Sequence, residues 1–208
     1  VFRDAAAQRF LLNLLVAFVP AAVLGLAFGS IIKKHLFFAV PVAFAFIVGG
    51  IIILWVERRG NAKGADASRG HIAEEDDMTW TDALKVGCAQ ALALIPGTSR
   101  SGATIIGGML FGMSRKAATE FSFLVGIPTM LAAGGLKIFK ALSHGAPPEN
   151  WAMVGLGTIV SAVVSFIAVK WLLRFVQSHT FIGFGYYRII VGAGVLVGGL
   201  FGLFGPAK

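Results

Sequence analysis

The chain has 208 residues, of which 57% are hydrophobic and 13% charged, and its mean hydropathy is +0.82. A soluble domain carries about 25% charged residues, so this composition excludes disorder and collagen-like repeats and is far from that of a water-soluble enzyme; a single cysteine, Cys88, excludes an internal disulfide scaffold. The net charge of +8 would point to nucleic acid in a soluble protein, but here Lys and Arg flank apolar runs, the pattern of a membrane protein, and nucleic acid is set aside as a partner.

In chain order, five apolar stretches are long enough for a bilayer core of about 30 Å, which takes roughly 20 helical residues. They are Phe10–Ile32, Leu36–Trp55, Phe121–Lys140, Trp151–Leu173 and Phe181–Phe204. The 27 glycines suit membrane helices, and Gly194, Gly198 and Gly202 repeat every four residues, predicting one small face for a homodimer or an internal helix contact. Between the second and third stretches, residues 57–80 read as a polar loop containing the acidic run Glu74-Glu75-Asp76-Asp77. That run reads as solvated, with Asp77 and Thr79 supplying helix-cap chemistry to the segment after it.

Residues 82–113 differ from the five stretches. They are apolar but broken by Pro96-Gly97-Thr98-Ser99-Arg100-Ser101-Gly102, leaving arms of about 12–14 residues, too short to span. Helix, polar Gly/Pro break, helix is the pattern of a re-entrant hairpin, whose broken backbone must be buried in protein or line a wet cavity. Cys88, in the first arm, reads as a small packing residue. If the hairpin enters and leaves on one face, that face receives eleven Lys and Arg, against Lys33, Lys34, Lys137, Lys140 and Lys208 on the other, and is predicted to be cytoplasmic. The expected fold is therefore all-α: a single integral membrane domain, 1–208, with about five transmembrane helices and one re-entrant helix-loop-helix.

The break has the parts of an anion site. Pro96 ends the first arm. Gly97 and Gly102 allow a tight turn or close approach to a ligand. Ser99 or Ser101 caps a second helix predicted to begin near Gly102, and that helix start offers free N–H groups and a positive dipole end. Arg100 adds a planar donor fork suited to phosphate or carboxylate. An Arg within the membrane costs about 2.5–3.5 kcal/mol or more, which argues against simple packing. No Lys-Ser/Thr follows the glycines as in a Walker A loop, and no G-x-S-x-G is present.

The stretch Ala91-Leu92-Ala93-Leu94-Ile95-Pro96-Gly97-Thr98-Ser99-Arg100-Ser101-Gly102-Ala103-Thr104-Ile105 resembles the second signature of the bacterial undecaprenyl-pyrophosphate phosphatases, the bacitracin-resistance proteins. Asp76-Asp77-Met78-Thr79 before it, and Gly107-Gly108-Met109, Ser114-Arg115, Ala118-Thr119-Glu120-Phe121-Ser122-Phe123-Leu124, Pro128, Phe181-Ile182 and Tyr187-Arg188 after it, extend the likeness over essentially the whole chain. The resemblance implies an inner-membrane enzyme of cell-wall synthesis, removing the terminal phosphate of undecaprenyl pyrophosphate. It further implies two inverted repeats, each with a re-entrant hairpin, a divalent cation (Mg²⁺ or Ca²⁺), and an active site open to the periplasm. A lipid-phosphate transporter or flippase on the same scaffold is the alternative, since broken helices near mid-bilayer serve either.

The family's N-terminal signature, a pair of glutamates followed by Ser-Ser-Thr-Gly-His, has no counterpart here, and the chain begins Val1-Phe2-Arg3. The expectation is that an N-terminal portion of about 60–90 residues, holding the first repeat's hairpin, is missing, so that this stretch alone has little activity.

Among individual residues, Arg100 is expected to clamp the pyrophosphate, with Ser99 and Ser101 donating to phosphate oxygens or capping the helix; a nucleophilic role for either lacks an adjacent base. Gly97, Thr98, Gly102, Thr104 and Gln90 are candidate substrate-binding positions. Arg188 either reaches the headgroup or snorkels to the interface. Glu120 either pairs with Arg100 or holds metal, or is an interfacial carboxylate beside Arg115 and Lys116.

Overall fold

A computed structural model describes residues 5–62, 71–74, 77–143 and 151–201. Seven α-helices follow in order: α1 (Ala5–Leu36), α2 (Ala39–Ala62), α3 (Trp80–Ala91), α4 (Arg100–Leu110), α5 (Arg115–Ser143), α6 (Trp151–Ser178) and α7 (Ile182–Leu200), with a 3-10 turn at Leu92–Leu94 after α3. Five of them are long and apolar enough to cross a membrane, over Ala6–Leu36, Ala39–Arg59, Arg115–Ala141, Ala152–Val176 and Ile182–Leu200. The protein is an all-α, multi-pass membrane protein.

The burial pattern is the reverse of a soluble protein's. Among the most buried side chains are Glu57, Gln90, Asn13, Thr104, Thr119 and Ser122, while Leu26, Ile159, Phe166 and Leu200 are largely exposed. Lipid solvates apolar groups as well as a protein core does, so polar groups collect inside, where they find partners. The apolar part of the interior, including Met78, Val86, Ile105, Phe121 and Val125, lies where α1, α3, α4 and α5 meet.

Helix ends depart from the sequence expectations in instructive ways. α1 runs through Lys33 and Lys34 to Leu36, and α2 starts at Ala39 instead of Leu36. α2 also continues past Trp55 to Ala62, so Glu57, Arg58 and Arg59 are helical and not the start of a loop. α5 begins at Arg115, six residues before the expected Phe121, and takes in Glu120; Phe181 is the N-cap of α7 and not part of the span. Lys63, Arg69, Glu75, Asp76, His144, Gly202, Phe204 and Lys208 lie outside the described residues.

The segment 82–113 forms a helix-break-helix hairpin. Its arms hold 12 and 11 residues, about 18 and 16 Å of helix, too short to cross 30 Å of hydrocarbon. α3 starts in a capping box formed by Thr79 and its first turn: the Thr79 hydroxyl accepts from the Asp82 N–H at 3.3 Å, and the Asp82 carboxylate accepts from the Thr79 N–H at 3.3 Å. Asp77, the other expected cap, instead closes a turn by accepting from the Glu74 N–H. α3 packs on α1, where Gly87 lies so close that a Cβ would stand 2.6 Å from the Ala17 carbonyl oxygen, and Asn13 donates to the Met78 carbonyl at 2.9 Å. α4 returns along α5, with Thr104 beside Ser122 and Gly108 against Ala118. The base closes through Ile72 and Met113: the Ser114 N–H donates to the Ile72 carbonyl at 2.9 Å and the Ile72 N–H to the Gly112 carbonyl at 3.2 Å.

α2 and α7 form the other packed pair, running antiparallel on small residues. Gly50 meets Gly185, and Gly192 meets Ala43. In the four-residue glycine repeat, Gly198 is buried and Gly194 faces open space.

Candidate active site

The break between α3 and α4 is shaped by its backbone. Ile95 is extended, Gly97 has φ +92°, and Ser99 has φ +69°. A Cβ on Gly97 would stand 2.6 Å from the Val42 carbonyl oxygen, so both the turn and its fit against α2 demand glycine. Ser99 holds a left-handed conformation that costs a non-glycine residue about 1–2 kcal/mol, and its hydroxyl accepts from the Gly102 N–H at 3.2 Å. Of the two candidate serines, Ser99 is therefore the cap, and the helix begins at Arg100, two residues before Gly102. The Ser99 and Ser101 hydroxyls lie 3.5 Å apart at this helix start.

Arg188 is brought to the same place from α7. It is 8% exposed, which rules out snorkelling. Its Nη2 donates to the Gly97 carbonyl at 2.8 Å and to the Ala45 carbonyl at 3.1 Å, and the guanidinium lies 4.9 Å from the Phe46 ring centroid. Gly49 on α2 leaves the space the guanidinium fills. Its buried Nε has no hydrogen-bond partner among the described residues.

Two cavities meet at Arg188. One, of about 320 Å³, has Ser99, Ser101, Gly102 and Arg188 in its wall and an aromatic lining of Phe46, Phe123, Phe181, Phe184 and Tyr187. The other, of about 380 Å³, lies on the far side of Gly102 and Ile106 and is lined by Thr98, Ile52, Leu92 and Phe111 among others. Cys88, expected to pack, is exposed and lines this second cavity. An apolar slot with a cation, two hydroxyls and a helix N-terminus in its wall is suited to an amphiphile with an anionic head.

The other candidates are placed differently. Arg100 is absent from both cavity walls. Its half-buried guanidinium turns toward α5, donating from Nη1 to the Ser122 carbonyl at 3.2 Å and lying against Gly126, where a Cβ would stand 2.6 Å from Nη2. The break is thus flanked by Arg188 on the α2 side and Arg100 on the α5 side. Thr104 is fully buried; its hydroxyl pairs with that of Ser122 and reaches the Arg100 carbonyl at 3.0 Å, so it braces α4 on α5. Gln90 is 2% exposed and donates to the Ala17 carbonyl, tying α3 to α1 away from both cavities. Glu120 is half-buried on α5.

For the divalent cation implied by the resemblance, the donors gathered at the break are hydroxyls and guanidiniums. Among the described residues no three His, Cys, Asp or Glu come together as a metal site. Hard divalent cations take carboxylate and carbonyl oxygens, so this donor set does not fit a cation held by these residues alone.

The sequence reading missed Glu57, one of the most buried side chains in the chain at 1% exposure. Its Oε2 accepts from Arg115 Nη2 at 2.7 Å and its Oε1 from the Phe181 N–H at 3.0 Å. The available signal was register: Glu57 follows Trp55-Val56 with no Gly or Pro to stop the helix.

Comparison with known proteins identifies the family. Residues 2–194 match the family described as "Bacitracin resistance protein BacA". The chain is 54% identical over 199 residues to a protein of Janthinobacterium sp. (strain Marseille) named "Undecaprenyl-diphosphatase", covering 94% of this chain and 69% of that protein. Proteins of the same name from Albidiferax ferrireducens and Methylibium petroleiphilum are 57% and 52% identical, over 91% and 95% of this chain and 67% and 70% of their own lengths. The chain belongs to the BacA bacitracin-resistance family.

Proposed function

We propose that this protein is a phosphatase of the bacterial inner membrane that hydrolyses undecaprenyl pyrophosphate to undecaprenyl phosphate and inorganic phosphate, recycling the lipid carrier of cell-wall synthesis and so conferring bacitracin resistance. The observation that carries the reading is the convergence of Arg188, the Ser99 and Ser101 hydroxyls and the N-terminus of α4 in the wall of an aromatic-lined cavity. The relatives' phosphatase name favours hydrolysis over transport.

In this reading the prenyl chain lies among Phe46, Phe123, Phe184 and Tyr187, and the pyrophosphate faces the break. Ser101 donates to non-bridging phosphate oxygens; Ser99, whose oxygen already accepts from Gly102, donates its hydroxyl proton. Arg188 and the α4 dipole stabilise the charge that builds as the anhydride bond breaks, the dominant contribution in phosphoryl transfer. Arg100, braced on Ser122, fixes a second positive charge beside the break. Mg²⁺ or Ca²⁺ accompanies the pyrophosphate, whose oxygens are ligands of the kind these ions prefer.

The hairpin is read as re-entrant from the cytoplasm. Arg9, Arg58, Arg59, Lys85, Arg115, Lys116, Lys170 and Arg174 lie toward its base, and Lys33, Lys34, Lys137 and Lys140 toward the opposite face. Gly97 sits against Val42, three residues inside the opposite end of α2, which brings the break within reach of the periplasm. The open side of Gly194 is the face offered to a second copy.

The test is phosphate release from undecaprenyl pyrophosphate by the purified full-length protein with Mg²⁺, before and after EDTA. The reading expects release that EDTA abolishes. Movement of intact pyrophosphate lipid across vesicles without release would favour transport.

A further inference from the structure

We propose that Glu57 is a positioning residue for Arg188, acting through the N-terminus of α7; the proposal rests on the reading of Arg188 as a substrate-binding group. Phe181, the N-cap of α7, makes no side-chain cap of its own, and the carboxylate that accepts its N–H comes from α2, 124 residues earlier in sequence. A carboxylate at a helix N-terminus complements the positive end of the macrodipole and satisfies an orphan donor. Glu57 is held in turn by Arg115 of α5, which also donates from Nη1 to the His179 carbonyl at 3.4 Å and places its guanidinium 5.8 Å from the Phe181 ring. One buried carboxylate thus joins α2, α5 and the α6–α7 junction.

Arg188 lies two turns along α7 from that cap. Between cap and Arg188, α7 meets α2 at Gly185, where a Cβ on Gly50 would stand 2.7 Å from the Gly185 carbonyl oxygen. The glycine contact allows the helices to approach closely, but it has no side chain that resists sliding along the axis. The Glu57–Phe181 bond adds that resistance at the start of α7, and the bond from Arg188 to Ala45 adds it two turns further on. A hydrogen bond of 2.8 Å is lost within about 1 Å of displacement, so the axial position of α7 decides whether Arg188 meets Gly97 and faces the cavity. The same junction places Phe181 and Phe184 in the cavity wall.

The experiment is steady-state phosphate release from undecaprenyl pyrophosphate by the full-length protein, with kcat and KM resolved, for Glu57→Gln, Arg188→Ala and the double variant. Gln keeps an acceptor for the Phe181 N–H but loses the charge that anchors it. The expected result is a kcat/KM lowered about tenfold in Glu57→Gln, carried mainly by kcat, and no further fall when Glu57→Gln is added to Arg188→Ala. Glu57→Asp, which keeps the charge, recovers part of the loss. Effects of the two substitutions that multiply fully would overturn the positioning role and leave Glu57 a structural anchor. An Arg188→Ala variant with wild-type kcat/KM would instead sink the substrate-binding reading of Arg188. Should Glu57→Gln fail to fold, Arg115→Lys in the same cycle is read by the same outcomes.

Discussion

The guanidinium of Arg188 on α7 donates to the carbonyl of Gly97 in the hairpin break at 2.8 Å, joining two segments 91 residues apart at the point where two cavities meet. Gly97 can offer that carbonyl because its φ of +92° turns the backbone between the arms. A cation already aimed into the break and largely buried is preorganised for an anionic ligand.

Arg188→Lys removes the Nη2 that bonds both Gly97 and Ala45, and the planar guanidinium over the Phe46 ring, while keeping the charge. A hydrogen bond to a charged group contributes about 1.5–3 kcal/mol, so kcat/KM for phosphate release should fall about tenfold to a hundredfold. Kinetics on the purified full-length protein check this, and an unchanged kcat/KM would separate Arg188 from the substrate.

Gly97→Ala places a methyl group 2.6 Å from the backbone oxygen of Val42 and forces alanine to a positive φ. The backbone term alone is about 1–2 kcal/mol, and the oxygen cannot rotate away as a side chain would. We expect a lower melting temperature in detergent and a larger loss of activity, because the break itself moves. A variant as stable as wild type would show that α2 and the hairpin are not locked together here.

Thr104→Val tests a structural role. The residue is fully buried and its hydroxyl meets Ser122 across the α4–α5 contact. Valine leaves the Ser122 hydroxyl without this partner, at about 1–3 kcal/mol, and Thr104→Ser should retain most of the stability. Thermal unfolding of the pair checks this; if Val and Ser behave alike, the hydroxyl contact contributes nothing.

Hairpin and spans could be read before any coordinates because their signals are local. Pro96 to Gly102 interrupts an apolar run, the arms are too short to cross, and Ser99 sits where a cap belongs. Three things could not be read that way. Glu57 looked like the first residue of a loop because its partners, Arg115 and Phe181, lie 58 and 124 residues away and reward a longer α2 only once the helices pack. Arg188 was open between snorkelling and binding because the direction of a side chain on a glycine-rich helix is set by its neighbour; Gly49 and Phe46 of α2 turn it inward. Arg100 was expected beside the serines, yet as the first residue of α4 it points to the other side of that helix start, onto Ser122 and Gly126.

The α3 cap gives a dependence on pH. Burial raises the Asp82 pKa, but hydrogen bonds from Thr79 and Lys85 outweigh it and hold the carboxyl below its ordinary value of 3.8. A folded pKa below the unfolded one means stability that is fully present above the unfolded value and is lost as pH falls through the folded one. The melting-temperature gap between wild type and Asp82→Asn should therefore be open at about pH 6 and narrow below about pH 3. A gap that stays constant would mean that the ionised carboxylate is not what holds the start of α3.

The most direct test of the break as the phosphate site is Arg100→Lys in the full-length protein. Arg100 can hold the Ser122 carbonyl with one arm of its fork and keep its charge beside the break, whereas Lys is a single mobile point charge. The measurement is kcat/KM for phosphate release from undecaprenyl pyrophosphate, wild type against variant. The account predicts a loss of at least about tenfold, equivalent to 1.4 kcal/mol of transition-state stabilisation. Turnover at the wild-type rate would contradict it.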